Sequence, residues 1–522
     1  MSKKVSVSKH VESTYGEKII DIFVFLVLCL FPLVVTDFYF NILVTKYYFY
    51  VGSVLVLAVL LFFDALLERE KVGQWFSAFQ WSKFRKSITV TDVSLLIFLV
   101  VAVISTVCSD YVYESFWGNE GRYSGLFLLS FYGFAYYAVS RFGTLKSWHL
   151  DGFLIASILV CLFGITDYFQ LDILGFKKEM VESQKALFTS TLGNINTYTA
   201  FVGMVGAAAS VLFAMEKNRK KLVFYYAAMV VSLFALIMGV SDNAYLSLLA
   251  LLGFLPLLLF KTRDGMKRYL IIVSTVLTVF QCISWINHAL PEMVLGIDSA
   301  FNLIADNERL IWGVLAMWAV TGVFYAYDFK TGRTGDRIYK VPRLVWLGML
   351  ALVFVAAAYM WADVNLRGNA NGYGPLGTYL LFNDDWGTHR GYIWRNAMES
   401  FSQFSLFKKI FGFGPDTFAM ILMDKTADNI YGEIFDNAHN EYLHYLLTVG
   451  AAGLAAYLMF IGSFIVRAAK KAGENKLVAA AVFAVICYCA QATVNLNLPI
   501  ATPVMWMFLM LAASAIKKQR AK

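Results

Sequence analysis

The sequence is poor in charge. Of its 522 residues only 15% are Asp, Glu, Lys or Arg, whereas 59% are hydrophobic. A soluble domain runs nearer 45–50% apolar and about 25% charged. The mean hydropathy is +0.62. Soluble domains of this total length could not bury so many apolar side chains. That excludes a soluble enzyme, a disordered chain and a collagen-like fibre. Cysteine is also scarce. The six, Cys29, Cys108, Cys161, Cys282, Cys487 and Cys489, all fall in or beside apolar runs and read as small buried hydrophobes. Cys487 and Cys489 are two apart, so they point to different helix faces and make a poor metal pair. A Walker loop, a GxSxG elbow and a zinc motif are missing too, which argues against ATP-driven chemistry.

Long apolar runs are what the sequence has in excess. A membrane helix needs about 20 predominantly apolar residues. Fourteen candidates are centred on residues 19–36, 47–67, 93–107, 126–140, 153–169, 198–215, 223–240, 245–260, 270–286, 310–327, 344–361, 442–466, 477–494 and 503–516. Two of them, 223–240 and 245–260, are divided only by the polar turn Ser241, Asp242, Asn243. The expectation is an all-α polytopic membrane protein with about 14 transmembrane helices (12–14). The polar tail over residues 1–18 is long, and no small-residue cleavage site follows the first run, so that run reads as a retained helix.

The charge has sidedness. With the N-terminus inside, the inside segments and adjoining span ends hold 32 of the 44 basic residues and 13 of the 36 acidic ones, or +19. The other side holds 12 and 23, or −11. This is the positive-inside pattern. The net charge of +8 is therefore a sum of two opposed faces, and it does not point to nucleic acid. The expected layout has both termini cytoplasmic, helices 1–11 over residues 1–363, a large extracytoplasmic loop with amphipathic helices over 364–438, and helices 12–14 over 439–522. The spans are nearly free of ionisable groups, with Asp64 and Asp242 at predicted ends.

Long loops in compact proteins are usually functional, and residues 364–438 form the one long outside loop. Its Gly- and Asn-rich start reads as coil. A helix is expected from Trp386, with Ile393, Trp394, Ala397, Met398, Phe401 and Phe404 as an apolar stripe. FGFGPDTF reads as a turn, and a second short helix as residues 418–423. The long helix could lie in the membrane interface, lid a cavity or simply pack.

Several polar residues here carry possible chemistry. Arg grips phosphate in a planar, bidentate way. Arg390 and Arg395 are about 140° apart round a helix, so both reach one ligand only at a helix end. Arg395 could instead pair with Glu399. Asp436 or Asn437 could cap the next span, placing His439 in its first turn. There the helix dipole disfavours added positive charge and keeps the imidazole neutral, as a general base must be. His389 competes for that role, while His444 lies deeper and reads as structural. Arg122, in WGNEGRYSG, is a third anion contact or a partner of Glu114 or Glu120. TSTLGNINTY, with Gly193, Asn194 and Asn196, could line a polar mouth. Asp384 and Asp385 could bind a divalent ion with a phosphate, but no further acid is spaced to help, and neither metal nor cofactor is expected.

THRGYIWRNAMESFSQFSLFKKIFGFGPDTF followed by DNAHNEYLHYLLTVGAAGLAAYL resembles the C-terminal signature of the O-antigen ligase and polymerase superfamily. The shared elements are Arg390 and Trp394, the turn Gly412, Gly414, Pro415, Phe418, then His439–Asn440 and Gly450. TLGNINTY resembles that family's Gly-Asn-x-Asn element. The chain departs from the family where many members have Ser-Arg: here the residues are Ser241–Asp242–Asn243, so an arginine cannot be carried over. The resemblance implies a GT-C-like fold in a bacterial cytoplasmic membrane. It implies an inverting, metal-independent transfer of a glycan from a polyprenyl (undecaprenyl) pyrophosphate carrier to a glycan, lipid or protein acceptor on the outer face. His439 and Arg390 would be catalytic. Arg395, Arg122, Asn440, Trp394 and Asn194 would bind substrate. Polymerisation of lipid-linked repeat units is the alternative within the family, and a flippase or transporter of the same lipid the alternative from another class. A flippase should carry ionisable groups through several spans. A receptor or scaffold, a third reading, would show no dependence on His439.

Overall fold

The computed structural model describes residues 15–70, 80, 81, 85, 87–297, 300–332 and 340–521. Among them the only strands are Phe188–Thr189 and Gly193–Asn194, an antiparallel pair with Phe188 opposite Asn194. All other regular structure is helical. Each of the fourteen expected runs coincides with helix. Nine of the described helices are long and apolar enough to cross a membrane, and Asn243–Leu259, Lys476–Gln491 and Thr502–Lys517 are shorter apolar ones. Arg219–Ile237 and Asn243–Leu259 are separate helices, so the thinnest division of the sequence holds.

Two expected spans are not single α-helices. The first passes from α-helix Tyr15–Phe25 through a π turn to the 3-10 turn Phe31–Leu33, where Pro32 removes a donor. The twelfth is broken at Val449, between Glu441–Thr448 and Gly450–Ala472. Gly450 has φ 78, a conformation that glycine adopts freely.

At the centre stands Ile195–Met215, with 94% of its apolar window buried. Its run of Gly, Ala and Ser lets neighbouring backbones approach closely. It packs mainly on Lys476–Gln491, itself alanine-rich, and on Arg219–Ile237. At the periphery, Val341–Arg367 buries none of its window. That helix runs past residue 363, so the large loop begins at Gly368 and ends at Asn440, the cap of Glu441–Thr448.

The apolar helices are less clean than the sequence reading held. Lys46 is wholly buried and donates to the carbonyls of Phe31, Pro32 and Val34 at 2.8, 3.3 and 3.1 Å. It thus satisfies groups freed where the first helix breaks. Asp167, buried in Ser147–Tyr168, accepts from Ser190 N at 2.7 Å and Tyr39 Oη at 3.2 Å and pairs with Lys177 at 3.4 Å. These partners hold secondary-structure elements together.

Candidate active site

The large loop has a core of its own. Ile393, Ala397, Phe418, Leu422, Phe435, Ala438, Leu443 and Leu447 are buried together, with Trp394, Phe401 and Phe404 packed against them. Met398 is 48% exposed and leaves the expected stripe. The second short helix is Phe418–Leu422, as the pattern suggested. The stripe therefore packs on this loop's own helices and on Glu441–Thr448.

The main loop helix starts at Arg390. Gly387, Thr388 and His389 all have positive φ, a left-handed turn that separates Trp386 from the regular helix. Immediately after Arg390, Gly391 allows the chain to pass Asn383, since a Cβ there would lie 1.8 Å from its carbonyl oxygen. This fixes Arg390 at the helix start with its guanidinium buried, 9% exposed. Its Nη1 donates to Gly387 O, and its Nε is enclosed without a hydrogen-bond partner. Burial lowers the Arg390 pKa, opposed by the nearby Asp242 carboxylate and Tyr245.

His439 sits one residue before the cap. Asn440 Oδ1 accepts from Tyr442 N and Leu443 N, both at 3.0 Å, so Asn440 and neither Asp436 nor Asn437 caps the helix. Asn437 instead accepts the His439 N–H at 2.9 Å, which helps hold His439 at φ 45. His439 is partly accessible, with its Nδ1 enclosed and unpartnered. Burial first, then the charges of Arg390 and Arg122, push its pKa down to about 3 against the pull of Asp436. This shift favours the neutral imidazole, and burial and two arginines, rather than the helix dipole, are its causes. The backbone before it is steadied by Trp394, whose Nε1 donates to Ala438 O at 2.8 Å.

Arg122 approaches the same histidine from a distant segment. Its Nε and Nη2 grip Asp436 at 3.0 and 2.6 Å. Its partner is thus neither Glu114 nor Glu120. His444 is buried below, stacked on Phe418 and 3.8 Å from Asp416 Oδ1. His389 stacks on Tyr431 with ring centroids 3.8 Å apart and contacts Glu433 at 3.2 Å, away from this group.

The candidates thus divide. Arg390 and Arg122 both act electrostatically on His439, whose surrounding backbone Asn440 and Trp394 hold. Arg395 points elsewhere: its side chain is 60% exposed and pairs with Asp384 at 2.7 Å, while Glu399 pairs with Lys425. Asp385 accepts from Tyr431 Oη. Asn194 caps Ile195–Met215 by accepting from Asn196 N. It is Asn196 that meets the Ser241–Asn243 turn, its carbonyl receiving Asn243 Nδ2 at 2.8 Å and Asn495 Nδ2 at 2.9 Å.

Sequence reasoning missed Asp436 as an arginine partner, Asp242 as a neighbour of Arg390, and Asp416. The last is buried, and its Oδ2 accepts from Asn119 N and Ser124 N at 2.8 and 3.0 Å. Burial pushes its carboxyl up to about 7, against the effect of those two donors. Its signal in the sequence is a non-glycine residue in a glycine-rich turn.

A neutral imidazole beside a buried guanidinium can take a proton while negative charge is stabilised close by. No curated protein matches the chain. Residues 293–458 match a family model described as O-antigen ligase. The matched stretch contains Arg390, the glycine turn and His439, so this part of the chain is similar to the O-antigen ligase family.

Proposed function

We propose that the chain transfers a glycan from a polyprenyl-pyrophosphate carrier to an acceptor hydroxyl on the outer face of the bacterial cytoplasmic membrane. Fourteen spans, with both termini cytoplasmic, would put the large loop on that face. The acceptor oxygen attacks the anomeric carbon, and the bond from that carbon to the pyrophosphate oxygen breaks with inversion. The leaving pyrophosphate keeps the electron pair. Arg390 and Arg122 stabilise the charge that develops on it. His439 receives the acceptor proton. Arg122 is favoured over Arg395 as the second contact because it acts on His439, whereas Arg395 is exposed and paired.

The observation that carries this reading is Arg390. A guanidinium this buried normally meets a carboxylate, yet among the described residues no acid forms an ion pair with it, and its Nε is unsatisfied. A bound anion would supply what is missing. The test is transfer by purified protein. His439→Ala should insert normally and transfer nothing, and Arg390→Lys should also fail because an ammonium lacks the planar fork. Normal transfer by a well-expressed His439→Ala protein would refute the base. Purified protein given only a lipid-linked repeat unit separates the two family activities. A ladder of longer lipid-linked products means polymerase, and no reaction until a distinct acceptor is added means ligase.

A further inference from the structure

One buried acid outside the reacting groups ties three chain segments together. Asp416 is 3% exposed. The two N–H groups it accepts from, on Asn119 and Ser124, lie on either side of Arg122. From that short loop Arg122 reaches Asp436, three residues before His439. The other Asp416 oxygen faces His444 Nε2 at 3.8 Å. Adjacent backbone completes the junction. Gly414 N donates to Thr448 O at 2.8 Å, Phe413 N to Leu447 O at 3.3 Å, and Ser109 Oγ to Phe413 O. Asp416 has φ 63, a left-handed conformation in which a side chain is disfavoured and glycine is free. A turn alone would be better served by glycine. The carboxylate therefore has a use that the turn does not explain.

We propose that Asp416 is a positioning residue: its carboxylate pins the Asn119–Ser124 loop to the glycine turn and so holds Arg122, with Asp436, beside His439. The Arg122 fork spends Nε and Nη2 on Asp436, and its Nη1 makes no hydrogen bond among the described residues. Held in this way, Nη1 remains for a donor phosphate. This consequence rests on the proposed function, whereas the pinning itself does not.

The test uses full-length protein in lipid nanodiscs, with hydrogen exchange over residues 118–125 and steady-state transfer kinetics. Asp416→Gly keeps a residue suited to the turn and removes only the carboxylate. It should lose protection at Asn119 and Ser124. It should also raise the KM for the lipid-linked donor about tenfold, the scale of one charge-assisted hydrogen bond, with kcat changed less than about threefold. Asp416→Asn tolerates the left-handed turn and still offers an oxygen to both N–H groups, so it should restore protection and KM. In an Arg122→Ala background, Asp416→Gly should raise KM no further. Unchanged protection in Asp416→Gly would overturn the proposal, as would an undiminished KM effect once Arg122 is gone. If the wild-type protein transfers no glycan, the functional reading fails separately, and the exchange measurement alone decides the pinning.

Discussion

Pushed down to about 3, His439 is a poor base, because proton transfer is most effective when the base titrates near the working pH. The perturbation of interest is an anion placed between the arginines. Burial is the largest cause of the depression, and Arg390 and Arg122 are the next. A charge within 4–6 Å typically moves a pKa by one to three units. Pyrophosphate that offsets the arginines should therefore raise His439 by roughly that amount. The ring should stay below its ordinary 6.5, because burial remains. The base would gain strength only once the donor is in place. The assay is NMR of ring-labelled histidine in nanodisc-embedded protein, with the His439 signal assigned by its loss in His439→Gln. Without ligand the signal should stay that of a neutral imidazole from pH 8 down to pH 5. With inorganic pyrophosphate, protonation should begin at a higher pH. A signal that titrates near 6.5 in the empty protein, or one that pyrophosphate leaves unmoved, would refute this coupling.

Further outcomes follow from the same geometry. Arg122→Ala should raise the donor KM more than Arg395→Ala, whose exposed pair with Asp384 contributes at most about 1 kcal/mol to stability; equal effects in kinetics would place Arg395 at the donor. Asn440→Ala removes an acceptor from two N–H groups and should cost about 1 kcal/mol of stability, read by thermal unfolding in detergent. Asp416 titrates at about 7 when folded and at its ordinary 3.8 when unfolded, so the folded state holds the proton longer. Its contribution to stability is full below pH 3.8 and is lost as pH rises towards 7. The stability of Asp416→Asn relative to wild type should accordingly increase over that window, and a pH-independent difference would contradict the assignment.

The helical architecture was legible because about 20 apolar residues in a row have few alternatives to a membrane helix. The break at Val449 was not legible, because apolar residues continue through it and only the backbone of another segment demands the left-handed Gly450. Asn440 was passed over as cap because Asp436, Asn437 and Asn440 all suit that position by type, and hydrogen bonding alone separates them. Arg390 and His439 stand out singly by residue type and position, but only the resemblance joins them; no periodicity links residues 49 apart. The Arg122–Asp436 pair crosses 314 residues, a separation at which local pattern is silent. The i,i+4 rule points Arg395 to Glu399, whereas its acid, Asp384, precedes the helix and falls outside that rule.

The two glycines at the helix break bear on how the loop can move. A Cβ on Gly412 would lie 2.3 Å from Thr448 O, and one on Gly450 would lie 2.3 Å from Ile410 O. Each backbone occupies the space that the other's side chain would need. Either Gly→Ala change should cost more than about 1 kcal/mol, since both positions also have positive φ. At this crossing the loop has no slack. There the loop is close-packed against the start of Gly450–Ala472. The loop's opposite root is packed differently: Gly368 and Gly374 also have positive φ, but a Cβ on either would meet no atom within 4 Å. The histidine end of the loop is thus the tightly packed one and the Gly368 end the open one.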